Sequence, residues 1–173
     1  MKRFAALAVL RAAPDTLFTT MRDRLPEIGG QLDDIEQIEQ LQRTACDNGV
    51  RVVNRWVARQ RVPALLRERL GQDVISWIDR AAWSADGTAC TWSIEPSIGD
   101  DGIACSGETR FEPAMGGRGV RVQFEGSLTI DPAFMTSLAG PFQRPVTALV
   151  EAIATTLIPK NLRAAAEVAA RFP

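Results

Sequence analysis

The chain has 173 residues, of which 46% are hydrophobic and 24% charged, which suits one globular domain with a real core and excludes a disordered chain. The formal net charge of −1 gives no strong field for nucleic acid or an anionic membrane. Histidine and tyrosine are absent, which removes the commonest general base, the commonest metal ligand and a second acid/base donor.

Met1-Lys2-Arg3 followed by Phe4 to Leu10 mimics a signal peptide, but the run is short and Arg11 closes it. A strand over 2–10 is the better reading, and its near-continuous apolar character predicts burial on both faces. Pro14-Asp15 opens a short helix with Leu17, Phe18 and Met21 inward, and Arg24 to Leu32 reads as a second short helix ending at Gly29-Gly30. Residues 34–46 are ambiguous, because Ile35, Ile38 and Leu41 step by three as a helix would. The hairpin signal Asp47-Asn48-Gly49 decides for a strand over 36–46, with room for a bulge. From 50 to 59 the strand alternates, with Arg51, Arg55 and Arg59 on one face and Val50, Val52, Asn54, Trp56 and Ala58 on the other. Pro63 to Leu70 is a helical turn ended by Gly71.

Strands follow at 75–83, 89–95, 103–111 and 120–130, separated by the turns Asp86-Gly87, Gly99-Asp100-Asp101-Gly102 and Gly116-Gly117-Arg118-Gly119. The last turn looks only superficially like a phosphate loop, since no Lys-Ser/Thr and helix come after it. From Asp131 to Pro173 a long helical segment puts Val146, Leu149, Val150, Ile153, Leu157 and Ile158 on one face, with Pro159 expected to kink or restart it. A second stripe, Leu162, Ala165, Ala166, Ala169 and Phe172, runs to the end. Strands followed by a helix predict an α+β fold, a curved antiparallel sheet of about seven strands wrapped around that helix.

The order of elements, with the segments Gly49 to Trp56, Val62-Pro63, Ile75 to Trp83, Cys105-Ser106-Gly107 and Gly126 to Ile130, resembles the START-like, helix-grip (SRPBCC) superfamily, and within it the PRELI-like and bacterial branches. The resemblance covers nearly the whole chain. It implies a single START-like domain over 1–173 that binds a lipid or other hydrophobic ligand between sheet and helix, although some members are cyclases or hydrolases. PRELI-like proteins transfer phospholipids together with a partner protein, and nothing in this chain marks an element for such a partner.

Alternation puts Trp56, Trp77, Trp92, Phe111 and Phe124 on inward faces as candidate cavity walls, with Asn54 and Asp79 as polar anchors and Val150 facing them from the helix. The same rings could instead fill a solid core. Asp79, beside Trp77 and Ile78, is either desolvated with a raised pKa or paired with Arg80 or with Arg51, Arg55 or Arg59, and pairing is the favoured reading. The basic stripe of Arg51, Arg55, Arg59 and Arg61 fits either a lipid phosphate or a solvated face. Cys46, Cys90 and Cys105 lie far apart without metal spacing and read as buried thiols in a reducing compartment.

The expected function is therefore binding or transport of a hydrophobic small molecule by a cytoplasmic, non-catalytic protein, without cofactor, metal or nucleic acid, and with any membrane contact transient. The alternatives are a cyclase- or hydrolase-like enzyme using Asp79 with Asn54, and an interaction module with a filled core. Segments 61–72 and 131–145, rich in proline and glycine, are the expected lids. The Ala- and Arg-rich composition points to a high-GC bacterial source.

Overall fold

A computed structural model describes residues 1–99 and 101–173, so Asp100, in the expected turn at 99–102, lies outside the described residues. Seven strands form one antiparallel sheet in the order β1-β7-β6-β5-β4-β3-β2. They are β1 (Lys2–Leu10), β2 (Ile35–Cys46), β3 (Gly49–Arg61), β4 (Val74–Ser84), β5 (Ala89–Pro96), β6 (Ile103–Ala114) and β7 (Gly119–Ile130). Helices α1 (Pro14–Asp23) and α2 (Leu25–Gly29) follow the first strand, and α3 (Ala64–Leu70) joins β3 to β4. The C-terminal segment comprises α4 (Pro132–Ala139), α5 (Gln143–Ala152), a π-helical turn (Ile153–Leu157) and α6 (Ile158–Ala170). This is the helix-grip arrangement expected from the sequence.

The period-three spacing in β2 has a structural cause. Register shifts fall between Ile35 and Gln37 and between Gln40 and Gln42. Each adds one residue to β2 opposite β3, and an extra residue resets which face the next side chain takes. Ile35 and Ile38, three apart, therefore both point inward and are buried, while Leu41 sits at the second bulge and is exposed.

The C-terminal segment bends where proline forbids regular hydrogen bonding. Pro159 has no N–H and its ring would crowd the carbonyl four residues back, so the helix widens to a π turn just before it. The Asn161 amide donates to the Leu157 carbonyl at 2.8 Å within that turn's exit. Beyond it, α6 packs on β1, β7 and α1, whereas α2 packs on β2. The two helical layers thus approach from opposite edges and meet over the middle of the sheet.

Two expectations need correction. The strand at 2–10 is not buried on both faces: Leu7 and Val9 are 43% and 47% exposed, because α6 covers the inner face of β1 and the outer face of the sheet is turned to water. Cys46 is not buried either; it lies at the end of the edge strand β2, beside the hairpin turn, and only Cys90 and Cys105 are in the core. The expected lid segments touch each other, with the Arg69 guanidinium donating to the Leu138 carbonyl at 3.1 Å.

Candidate functional site

The residues that carry the site come from the inner face of the sheet. Antiparallel register sets Trp56 opposite Trp77, Asn54 opposite Asp79, Val52 opposite Ala81 and Val50 opposite Trp83. The next strand brings Ile94, Trp92 and Cys90 alongside Asp79, Ala81 and Trp83. Period-two alternation makes all of these one surface. Asn54, Trp56, Trp77, Asp79, Trp92, Phe111, Phe124 and Val150 are all buried, as expected for an inner wall.

Within this wall a cavity of about 30 Å³ remains, room for about one water molecule. On the sheet side Trp56, Asp79, Trp92 and Phe124 line it, as do Trp83 and Thr109. On the helical side it is closed by Met21, Leu25 and Leu162. Asn54, Trp77, Phe111 and Val150 are buried but do not line it. Trp77 instead stacks on Trp56, with ring centroids 5.7 Å apart and planes 19° from parallel. Phe111 completes an aromatic trio with Phe18 and Trp83, at 5.2 and 6.0 Å, which seats α1 on the sheet. A larger concavity of about 660 Å³ lies on the outer face, among Gln42, Thr44, Arg51, Arg80, Thr91 and Ser93. It is open to water, with Val53 and Ala82 between those polar groups, so the enclosed inner cavity is the better candidate.

The polar groups of the inner wall are unequally satisfied. Trp92 donates its indole N–H to Thr109 Oγ1 at 3.1 Å. Trp56 Nε1, Trp83 Nε1 and Asn54 Oδ1 are fully buried and have no hydrogen-bond partner among the described residues. Burial pushes the Asp79 carboxyl up from 3.8 to about 7, and the polar side chains of Trp56 and Asn54 pull it back only in part. The Trp56 indole and the Asn54 amide thus lie beside the Asp79 carboxyl as hydrogen-bonding groups that favour its ionised form. Burial, and then the field of Asp79, push the Cys90 thiol well above its ordinary range, so it is a neutral thiol and a poor nucleophile.

The expected ion pair of Asp79 is not formed. Arg80 points to the opposite face and binds Glu95, at 2.7 Å from Nε and 3.3 Å from Nη2. Arg51, Arg55 and Arg59 are exposed on that same outer face, and Arg61 pairs with Glu36 at 2.9 Å. Arg80→Ala should therefore change stability by no more than about 1 kcal/mol, as for other exposed pairs. It should also leave the titration of the Asp79 carboxyl, followed by carbon NMR, where it was; a shifted Asp79 would show that the two are coupled after all.

Sequence reasoning missed Trp83, Thr109, Met21, Leu25 and Leu162 as cavity residues. A signal existed for Trp83, which shares a face with Asp79, and for Met21 and Leu162, which lie on inward helical stripes. Among the described residues no group of three or more His, Cys, Asp or Glu side chains could hold a metal ion. Among the described residues, too, no helix is long and apolar enough to cross a membrane.

No protein-family model and no curated protein sequence matches the chain. Solved structures do. A protein from Thermus thermophilus superposes with a TM-score of 0.64 at 19% identity, over 98% of this chain and 95% of that one. The Zhui aromatase/cyclase from a Streptomyces species gives 0.64 at 13% identity, over 98% and 94%. A START superfamily protein from Mycobacterium smegmatis gives 0.51 at 11% identity, over 93% and 94%. The likeness is one of fold: this chain has the START-like helix-grip fold.

Proposed function

We propose that the protein binds a hydrophobic small molecule, a lipid or an aromatic metabolite, between the sheet and the C-terminal helical segment, and acts as a carrier rather than a catalyst. The observation that carries this reading is an apolar inner cavity whose wall holds unpartnered buried polar atoms. Such atoms are rare in native cores, because leaving a buried donor or acceptor unmade costs about 1–3 kcal/mol. Where they face a cavity, a guest can satisfy them. The cavity must widen to admit one, and its two sides differ in how readily they give. The sheet side is rigid rings, whereas the helical side is Met21, Leu25 and Leu162, and methionine repacks readily. Burial of the guest's apolar surface, at about 25 cal/mol per Å², drives the opening.

Native mass spectrometry of freshly purified protein, followed by solvent extraction, tests this. A hydrophobic molecule in near-stoichiometric amount is expected, and Leu162→Trp, which plugs the cavity from α6, should remove it. A bare wild-type protein that also leaves the fluorophore ANS unbound would overturn the reading.

One observation favours catalysis as a second reading. A carboxyl that titrates near 7 in a cavity wall is suited to general acid chemistry. With Asn54 beside it, Asp79 would protonate a bound carbonyl or leaving group. Asp79→Asn would then abolish turnover with the fold intact, and retained activity would eliminate this reading.

A further inference from the structure

The inner cavity has three tryptophans in its wall, and only one of them is satisfied. Trp92 gives its N–H to Thr109, while those of Trp56 and Trp83 remain without an acceptor among the described residues. An indole nitrogen only donates, so nothing but an acceptor can complete it. Two of the nearby acceptors are not available for this. Thr109 Oγ1 is taken by Trp92, and the Asn54 oxygen is itself unpartnered and lies outside the cavity lining. Asp79, with its carboxyl pushed up to about 7, brings an acceptor oxygen to the same wall in either protonation state and one donor when protonated. The cavity wall therefore carries two indole donors without a formed hydrogen bond, with the Asp79 carboxyl beside Trp56 as a group that can both donate and accept.

We infer that the Trp56 and Trp83 indole N–H groups are the ligand-reading elements of this cavity, selecting apolar molecules that carry a carbonyl-type acceptor oxygen over hydrocarbons of the same shape. The inference rests on the cavity being the binding site. A hydrocarbon guest would cover both donors without satisfying either, whereas a ketone, ester or amide oxygen would meet one or both. The two tryptophans stand six residues apart along the β3–β4 register, on either side of Asp79. The oxygen placement of a guest as well as its size would then matter.

The test uses the full chain, labelled with nitrogen-15, and two probes of matched shape, 2-acetylnaphthalene and 2-ethylnaphthalene. Partition from water favours the hydrocarbon, so a preference for the ketone reports the donors. The ketone is expected to bind about tenfold more tightly, a factor that one hydrogen bond supplies. It should also move the indole resonances of Trp56 and Trp83 downfield while leaving that of Trp92 in place. Trp56→Phe and Trp83→Phe keep a ring and lose the N–H, and each should shrink the ketone-to-hydrocarbon ratio. If either variant fails to fold, the wild-type ratio and resonances decide by themselves. Equal binding of both probes, with cavity methyl signals such as those of Leu162 shifted, overturns the inference alone. Binding of neither probe overturns it together with the binding reading beneath it.

Discussion

Asp79→Asn should stabilise the protein at pH 8 and abolish most of its pH dependence between about pH 4 and 7. The carboxyl sits in the inner wall, its folded pKa is pushed up to about 7, and its ordinary value is 3.8. A raised carboxyl pKa means that the folded state holds the proton more tightly than the unfolded state. The stabilisation is fully present below about pH 4 and is lost as pH rises to about 7, where the folded form must also ionise. The full loss is of order 4 kcal/mol, at about 1.4 kcal/mol per pH step in the middle of the range. Groups with lowered pKa values act in the opposite direction and in a different window. Asp23, held down by Arg22 and Arg43, loses its contribution only as pH falls through its own lowered pKa, below the usual carboxylate range. Wild-type stability should therefore peak near pH 4 to 5 and decline toward neutrality. Asparagine keeps the shape and removes the charge, so urea titrations across pH 4.5–8 should show a sloping wild type and a nearly flat variant. A wild type that is equally stable at both ends would mean that Asp79 is hydrated or paired in solution. Such a decline toward neutrality would itself be informative: a side chain that weakens the fold from a cavity wall belongs with functional groups more naturally than with packing groups.

How much of this was legible in the sequence varied with the range of the interactions involved. The hairpin at Asp47-Asn48, the inward set Val52, Asn54, Trp56 and Ala58, and the positive-φ stop at Gly71 are local, and each followed from pattern and turn chemistry. The bulged strand at 35–46 was reached against its own period because the adjacent hairpin required it. Asp79 shows where local reasoning stops. Its face was right, but whether an arginine could reach it depended on a third strand. Glu95 on β5 captures Arg80 on the outer surface, and the inner face has no basic residue opposite Asp79. The apolar run at 2–10 misled for a related reason. Its composition fits burial on both faces, but the helices cover only the inner face of the sheet, which leaves Leu7 and Val9 exposed like the outer-face residues Arg80, Ala82, Thr91 and Glu95 of the central strands. The cavity was half legible, since strand alternation exposes one wall while the other depends on where α1, α2 and α6 come to rest.

Gly107→Ala should destabilise the protein by about 3 kcal/mol and disturb the cavity as well. Gly107 on β6 is paired with Trp92 on β5 and with Gly126 on β7. A Cβ at 107 would lie 2.1 Å from the Glu125 carbonyl oxygen and 2.5 Å from Trp92 Cζ2. One at 126 would lie 2.6 Å from Trp92 Cη2 and 2.5 Å from Phe4 Cζ. The two glycines thus form a bare floor on which the Trp92 ring rests, with Phe4 stacked 6.1 Å away. Backbone cannot retreat as a flexible side chain could, so the added methyl must displace both strand and ring, and overpacking of this kind costs about 1–3 kcal/mol or more. Tilting the ring would also pull its N–H from Thr109 and leave a third donor unsatisfied. Gly30→Ala is the control: its φ of −64° suits any residue, and a Cβ there meets only the Glu27 carbonyl at 3.4 Å. Denaturant midpoints and near-UV circular dichroism should separate the two, with the tryptophan bands altered only in the first. A loss below about 1 kcal/mol at Gly107, with unchanged tryptophan bands, would show that the floor yields, and that the position of Trp92 in the cavity wall is not set by the glycines beneath it.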